Sequence, residues 1–145
     1  MRRTTAHSGG WRLVEGACVD PRHVHILWPH VSHLVRRAME RGGMGRFEDV
    51  QHDVLAGNAY LWVATEDKKI LAVAVTQIGA DAKGRVCTIV ACGGAGWRRF
   101  GHLIDMLENY ARAERCRAVE VCGRPGWARL LNYRTTRVVL RKELD

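Results

Sequence analysis

The chain is poor in proline, with three in 145 residues, and poor in carboxylates, with 15 Asp and Glu against 23 Lys and Arg. So few prolines, with no repeat and no low-complexity tract, exclude a disordered or linker-rich chain. No apolar run approaches the ~20 residues that a membrane-spanning helix requires, so no membrane role is expected. The basic start MRRTTAHSGG is followed by no apolar stretch of the secretory kind, and the expectation is a cytoplasmic protein. The five cysteines are odd in number and show no CxxC spacing. That disfavours a disulfide framework and reads as reduced, buried thiols.

What is present is the mix of an ordinary globular protein: 47% apolar residues, 26% charged residues, 15 glycines and a net charge of +8. We expect residues 1–10 to be a flexible basic tail and residues 11–145 to be one domain around one core. The surplus of positive charge favours anionic partners such as nucleotides, cofactor phosphates, nucleic acid or acidic protein surfaces. It serves solubility equally well. Nucleic acid is the weaker of these readings. The basic pairs Arg2-Arg3, Arg36-Arg37, Lys68-Lys69, Arg98-Arg99 and Arg141-Lys142 are scattered, and no DNA-binding motif accompanies them.

Hydrophobic spacing divides the chain into elements. Trp11 to Glu15 reads as a first strand. Asp20-Pro21 is a helix start, and Val24, Leu27, Trp28, Val31, Leu34, Val35 and Ala38 then recur at helical spacing, with Pro29 a potential kink. Phe47 to Ala56 is a shorter helix stopped by Gly57-Asn58. Three antiparallel strands follow at Tyr60–Thr65, Ile70–Ile78 and Arg85–Cys92, joined by polar turns. A helix from Trp97 to Arg115 carries Leu103, Ile104, Leu107, Tyr110 and Ala111 on one face. A short strand, Arg117 to Cys122, a brief helix, Trp127 to Asn132, and a closing strand, Tyr133 to Leu144, complete the chain. The order β-α-α-β-β-β-α-β-α-β is that of a mixed sheet with helices packed on it. A crossover through the Trp97 helix sets the Arg117 strand parallel to the Arg85 strand.

The Arg85 strand runs into Gly93, Gly94 and Gly96, and then a helix opens. Unpaired N–H groups and the helix dipole attract anions at such a place. This order and several local stretches resemble the GNAT superfamily of acyl-CoA-dependent N-acyltransferases. The stretches are ILAVAVTQI, VCTIVAC, LIDMLENYARAERCRAVEVCG and GWARLLNYRTTRVVLRKEL. The chain also resembles a divergent branch of that family found in phages and prophages.

The resemblance implies a mostly antiparallel α/β sheet with a V-shaped splay between the Arg85 and Arg117 strands. It implies acetyl-CoA or CoA as cofactor, with its pantetheine arm in the splay and its diphosphate at the start of the Trp97 helix. The backbone of Val90, Ala91, Cys92, Gly93 and Gly94, and of Trp97, Arg98, Arg99, Phe100 and Gly101, would hold it. An amine of unknown identity would accept the acyl group.

The sequence departs from the family signature [QR]-x-x-G-x-[GA], whose first position falls on Ala95 and whose glycine positions fall on Arg98 and Phe100. Either Arg98 and Arg99 bind phosphate directly, or Gly93, Gly94 and Gly96 move the amide nest earlier, or the segment is a tight turn with surface arginines. The family's general-acid tyrosine falls near Trp127 or Ala128. Tyr133 is the nearest phenol and the candidate catalytic residue, with a packing role as its alternative. Thr76 and Gln77 could hold a water, and Glu120 lies on the Arg117 strand, but no acid/base pair emerges. His102, in the first turn of its helix, either touches a cofactor or faces solvent. His23, His25, His30 and His33 read as a polar helix face, and no metal site is expected. Cys87 and Cys92 are five apart on a strand and should face opposite ways.

The alternative to an acyltransferase is a catalytically inactive GNAT-fold protein, a binding or assembly module of phage-like origin. It would act through its basic or an apolar surface, with the cleft plugged by Trp97, Phe100 or Trp127. Oligomeric state, acyl group and acceptor are not encoded in any recognisable pattern.

Overall fold

The structure, a computed structural model, describes residues 3–8, 12–42, 45–94, 97–123 and 126–145, with side chains excepted at 3–8, 12–14 and 97–100. One six-stranded sheet carries its strands in chain order, β1-β2-β3-β4-β5-β6. The strands are β1 (Arg3–Ser8), β2 (Arg12–Cys18), β3 (Tyr60–Glu66), β4 (Lys69–Asp81), β5 (Gly84–Gly94) and β6 (Ala118–Val121). All neighbours are antiparallel except β5 and β6, which are parallel. The helices are α1 (Val24–Gly42), α2 (Phe47–Ala56), α3 (Trp97–Ala113) and α4 (Gly126–Leu131).

Local chemistry accounts for most boundaries. The Asp20 carboxylate accepts from the Arg22 N–H at 2.9 Å, and Pro21 opens the single 3₁₀ turn that leads into α1. Pro29 sits inside α1 without ending it. Gly57 closes α2 in the left-handed conformation, φ 82°, while the Asn58 N–H reaches back to the Asp53 carbonyl at 2.8 Å. Asp67 and Lys68, at φ 50° and 64°, make the two-residue turn between β3 and β4. Asp81 accepts from the backbone N–H groups of Lys83 and Gly84 and pairs with Arg117, tying the β4–β5 turn to the start of β6.

The sheet is buried on both faces. On one, α3 packs Leu103, Ile104, Met106, Leu107, Tyr110 and Ala111 onto Trp62, Ala64, Ala72, Ala74, Cys87 and Ile89. The Trp62 indole N–H donates to Thr76 Oγ1 at 2.9 Å, and its ring meets Tyr110 edge-on at 5.0 Å between centroids. On the other face, α1 and α2 pack Val24, Trp28, Val31, Val35, Met39 and Val54 onto Leu61, Val63, Val73, Val75 and Ala91. The Trp28 and Phe47 rings stack at 6.1 Å and Arg36 lies 4.1 Å over the Phe47 ring, which pins α1 to α2.

Three expectations are corrected. Arg3–Ser8 lies within the expected basic tail, yet its backbone pairs antiparallel with β2, from Arg3↔Ala17 to Ser8↔Arg12. The β-branched Thr4 and Thr5 suit a strand, and β2 offers an edge. The closing strand does not form: residues 133–145 have no strand pairing, and Val138, Val139, Leu140 and Leu144 are exposed. Three consecutive apolar residues need cover on both faces, and none of the described residues covers this segment. Finally, β5 continues through Gly93 and Gly94, which pair with Val73 and Ala72, so these glycines are strand rather than turn. Among the described residues, no helix is long and apolar enough to cross a membrane.

Candidate functional site

The β5–β6 ladder is short. It starts at Val86↔Ala118 and ends at Ile89↔Val121, whereas β5 runs on to Gly94. Past Ile89, β5 stays paired with β4 but, among the described residues, has no ladder partner on its other side. Alternate peptide groups of this stretch therefore face an opening between the strands.

The cause is local. Val75 pairs with Ala91 and Thr76 with Ile89, so Val90 is an extra residue on β5. A bulge of this kind bends a strand and increases its twist. Here it falls where β5 parts from β6. It also shifts the alternation of β5. Val90 and Ala91 both face α1, and Ile89 and Cys92 both pack in the cluster under α3. Cys87 and Cys92 thus share a face, contrary to the expectation from an unbroken period of two. A second bulge, at Ala64/Thr65, leaves Leu71 of β4 unpaired with β3, and Leu71 faces the same opening.

The opening is a cleft of about 340 Å³, lined on one wall by Ala91, Cys92, Gly93 and Gly94 of β5 and on the other by Val121, Cys122 and Gly123. Trp127 of α4, Ile70 and Leu71 of β4, and Leu34, Arg37, Ala38 and Arg41 of α1 complete it. Its walls are backbone, apolar side chains, two thiols and the side chains of Arg37 and Arg41. Burial pushes the Cys92 thiol up to about 12, so it stays protonated and unreactive at neutral pH.

The glycines at the cleft have packing reasons. A Cβ on Gly94 would lie 2.5 Å from the Leu71 carbonyl oxygen, and one on Gly93 would lie 3.0 Å from Ala38 Cβ. These two positions are small so that β4 and α1 can approach β5.

Of the expected binding residues, Ala91, Cys92, Gly93 and Gly94 line the cleft, and Val90 is the bulge that opens it. Trp97, Arg98, Arg99 and Phe100 form the first turn of α3 as backbone. Their side chains, and the whole of Ala95 and Gly96, lie outside the described residues. Gly101 is half-buried in the next turn.

Tyr133 is elsewhere. It lines a separate hollow with Glu108, Arg112, Cys116 and Arg117, and its hydroxyl donates to Glu108 Oε2 at 2.6 Å. Burial, and then the Glu108 carboxylate, push its phenol above the ordinary value. The remaining polar candidates also sit away from the cleft. Thr76 is fully buried under Trp62, the Gln77 amide donates to Asp53 Oδ2 at 3.5 Å, and Glu120 pairs with Arg137 at 2.7 Å. His102 is half-buried, and its Nε2 is buried without a hydrogen-bond partner among the described residues. Sequence reasoning missed Arg37, which read there only as part of one scattered basic pair, and Arg41, and it missed both bulges.

No protein-family model and no curated protein matches the sequence. Solved structures do match the fold. A GNAT family acetyltransferase from Staphylococcus aureus superimposes with a TM-score of 0.62 at 11% identity, over 90% of this chain and 98% of that one. An aminoglycoside acetyltransferase from an uncultured soil metagenomic sample, solved with trehalose, gives 0.61 at 14% identity over 91% and 97%. A predicted acetyltransferase from Clostridium acetobutylicum, solved with acetyl-CoA, gives 0.57 at 16% identity over 91% and 96%. The chain has the fold of the GNAT acetyltransferases, with the parallel strand pair and the flanking helices that the fold implies.

Proposed function

We propose that the protein is an acyl-CoA-dependent N-acyltransferase that binds acetyl-CoA in the cleft between β5 and β6. The observation that carries this reading is the end of the parallel ladder at Ile89↔Val121, with β5 running on to Gly94 beside an open cleft. The fit is one of backbone. A thin chain bearing amides can take the peptide groups of residues 90–94 that face the opening, as an added strand would. The start of α3 follows β5 after two residues, and its free N–H groups suit a diphosphate.

When bound, acyl-CoA supplies an acyl carbon activated as a thioester. This chain's part would be to hold that carbon in the cleft, exclude water with the Trp127 and Leu71 side chains that line it, and admit an amine. Effective concentration from such positioning is a large catalytic term by itself. Apart from the Cys92 and Cys122 thiols and the guanidinium groups of Arg37 and Arg41, no titratable side chain of the described residues lines the cleft.

Calorimetry with acetyl-CoA and CoA tests this directly. Binding is expected, and Arg98→Ala and Arg99→Ala should weaken it if guanidinium groups replace the missing signature glycines. Absence of heat and of any thermal shift at millimolar ligand would overturn the reading. Tyr133 bonded away to Glu108 favours the second reading, an inactive GNAT-fold binding module. Binding of CoA without CoA release across a broad amine panel would support that one.

A further inference from the structure

The cleft carries a charge that acyl transfer alone does not use. Arg37 and Arg41 lie one turn apart on α1, and both line the opening. Apart from the two thiols, they are its only ionisable side chains among the described residues. No carboxylate of the described residues pairs with either one. The adjacent Arg36 is spent on the Phe47 ring, and among the described residues no comparable contact holds the other two. Like charges at this spacing repel, and an anion between them relieves the repulsion.

The placement is fixed by packing. Ala38, next to Arg37, is so close to Gly93 that a Cβ there would meet it at 3.0 Å. This anchors the last turns of α1 against β5 and holds the two guanidinium stems at the rim of the cleft. α1 and α3 cover opposite faces of the sheet. The arginines therefore stand across the sheet from the helix start where a diphosphate would sit.

We propose that Arg37 and Arg41 bind an anionic group on the acceptor, so that the amine acylated here belongs to a molecule carrying a carboxylate or a phosphate and not to a polycation. This rests on the acyl-transfer reading of the same cleft. Guanidinium is suited to both groups through paired N–H donors, and an acceptor without an anion leaves the two charges facing each other.

The test follows CoA release with acetyl-CoA and paired amines that differ in one group: glycine against glycinamide, and phosphoethanolamine against ethanolamine, with spermidine as a polycation. In at least one pair the anionic member should exceed its neutral partner about tenfold or more in kcat/KM, the size of a charge-assisted contact. The first pair reads a carboxylate and the second a phosphate. Arg37→Gln with Arg41→Gln should erase that preference by raising the acceptor KM, while calorimetric affinity for acetyl-CoA stays as in the wild type. A thermal melt checks that the variant is folded, and each single substitution should give part of the effect.

Preference for spermidine or for the neutral amines overturns the inference. So does loss of acetyl-CoA affinity in the double variant, because it would place the guanidinium groups on the phosphates of CoA. If acetyl-CoA binds without turnover, the same comparison is made by calorimetry of glycine and phosphoethanolamine on the CoA-bound protein, and no anion binding overturns it. Wild-type protein that binds no acetyl-CoA overturns the acyl-transfer reading and this inference together.

Discussion

The hydroxyl of Tyr133 donates to Glu108 Oε2 at 2.6 Å, which ties the second residue after α4 to the middle of α3. The bond bridges the two ends of the β6 crossover and lies in a hollow distinct from the cleft. Tyr133→Phe should therefore lower stability by about 1 kcal/mol, the usual worth of such a hydrogen bond, and leave acyl-transfer kinetics nearly unchanged. A melting curve beside a CoA-release assay checks both. A fall of about a hundredfold in kcat with no change in melting would instead make Tyr133 the proton donor.

Deleting Val90 removes the extra residue on β5. The alternation from Ala91 to Gly94 then reverts, and the strand can continue its ladder with β6. We expect loss of acetyl-CoA binding together with lower stability, because every side chain past the deletion changes face. Val90→Ile retains the bulge and should keep both properties. Calorimetry and chemical denaturation of the two variants decide it.

Gly94→Ala places a methyl carbon 2.5 Å from the Leu71 carbonyl oxygen, a backbone atom that has little room to move. The expected cost is about 1–3 kcal/mol, as for other overpacked sites. Gly57→Ala meets no neighbour within 4 Å and acts only through its φ of 82°. It should cost about 1 kcal/mol through loss of the left-handed cap. Urea unfolding of both separates steric overlap from backbone conformation.

Burial holds the Cys87 thiol up to about 11 and the Cys92 thiol up to about 12, against an ordinary 9.0. A neighbouring Cys116 charge adds to the Cys87 shift. The folded state keeps protons that the unfolded chain gives up. Their contribution is thus complete below pH 9 and is lost as pH climbs through the folded values of about 11 and 12. Urea midpoints should be flat up to pH 9 and fall beyond it, and Cys87→Ala with Cys92→Ala should flatten the fall. In native protein at neutral pH, both thiols should resist alkylation longer than Cys122.

Much of the fold could be read from residue spacing. The Asp20-Pro21 start, the Gly57-Asn58 stop, the three-stranded meander and the α3 stripe from Leu103 to Ala111 all stand as their periodicity implies. Each is set by contacts near in sequence. The errors lie where a distant partner decides. Arg3–Ser8 becomes a strand because β2 lies beside it, and Val138 to Leu140 does not because no layer lies over it.

The site is legible in part. The stretch Ala91 to Gly94, expected to hold a cofactor, lines the cleft, but the crowding by Ala38 and the Leu71 carbonyl that accounts for small residues at 93 and 94 cannot be read from the sequence. A bulge leaves little trace in composition, since VCTIVAC reads as an unbroken strand. The parity of Cys87 and Cys92 was lost with it. Arg37 and Arg41 could not be told from solvated arginines until α1 was set against β5.

The cleft owes its existence to one surplus peptide unit in β5. Its shape is thus a matter of counting backbone, and most side chains around it can be exchanged without closing it. A lineage built on such a device can drift until no motif survives and still present the same doorway. For a chain like this one, shared architecture outlasts any shared spelling.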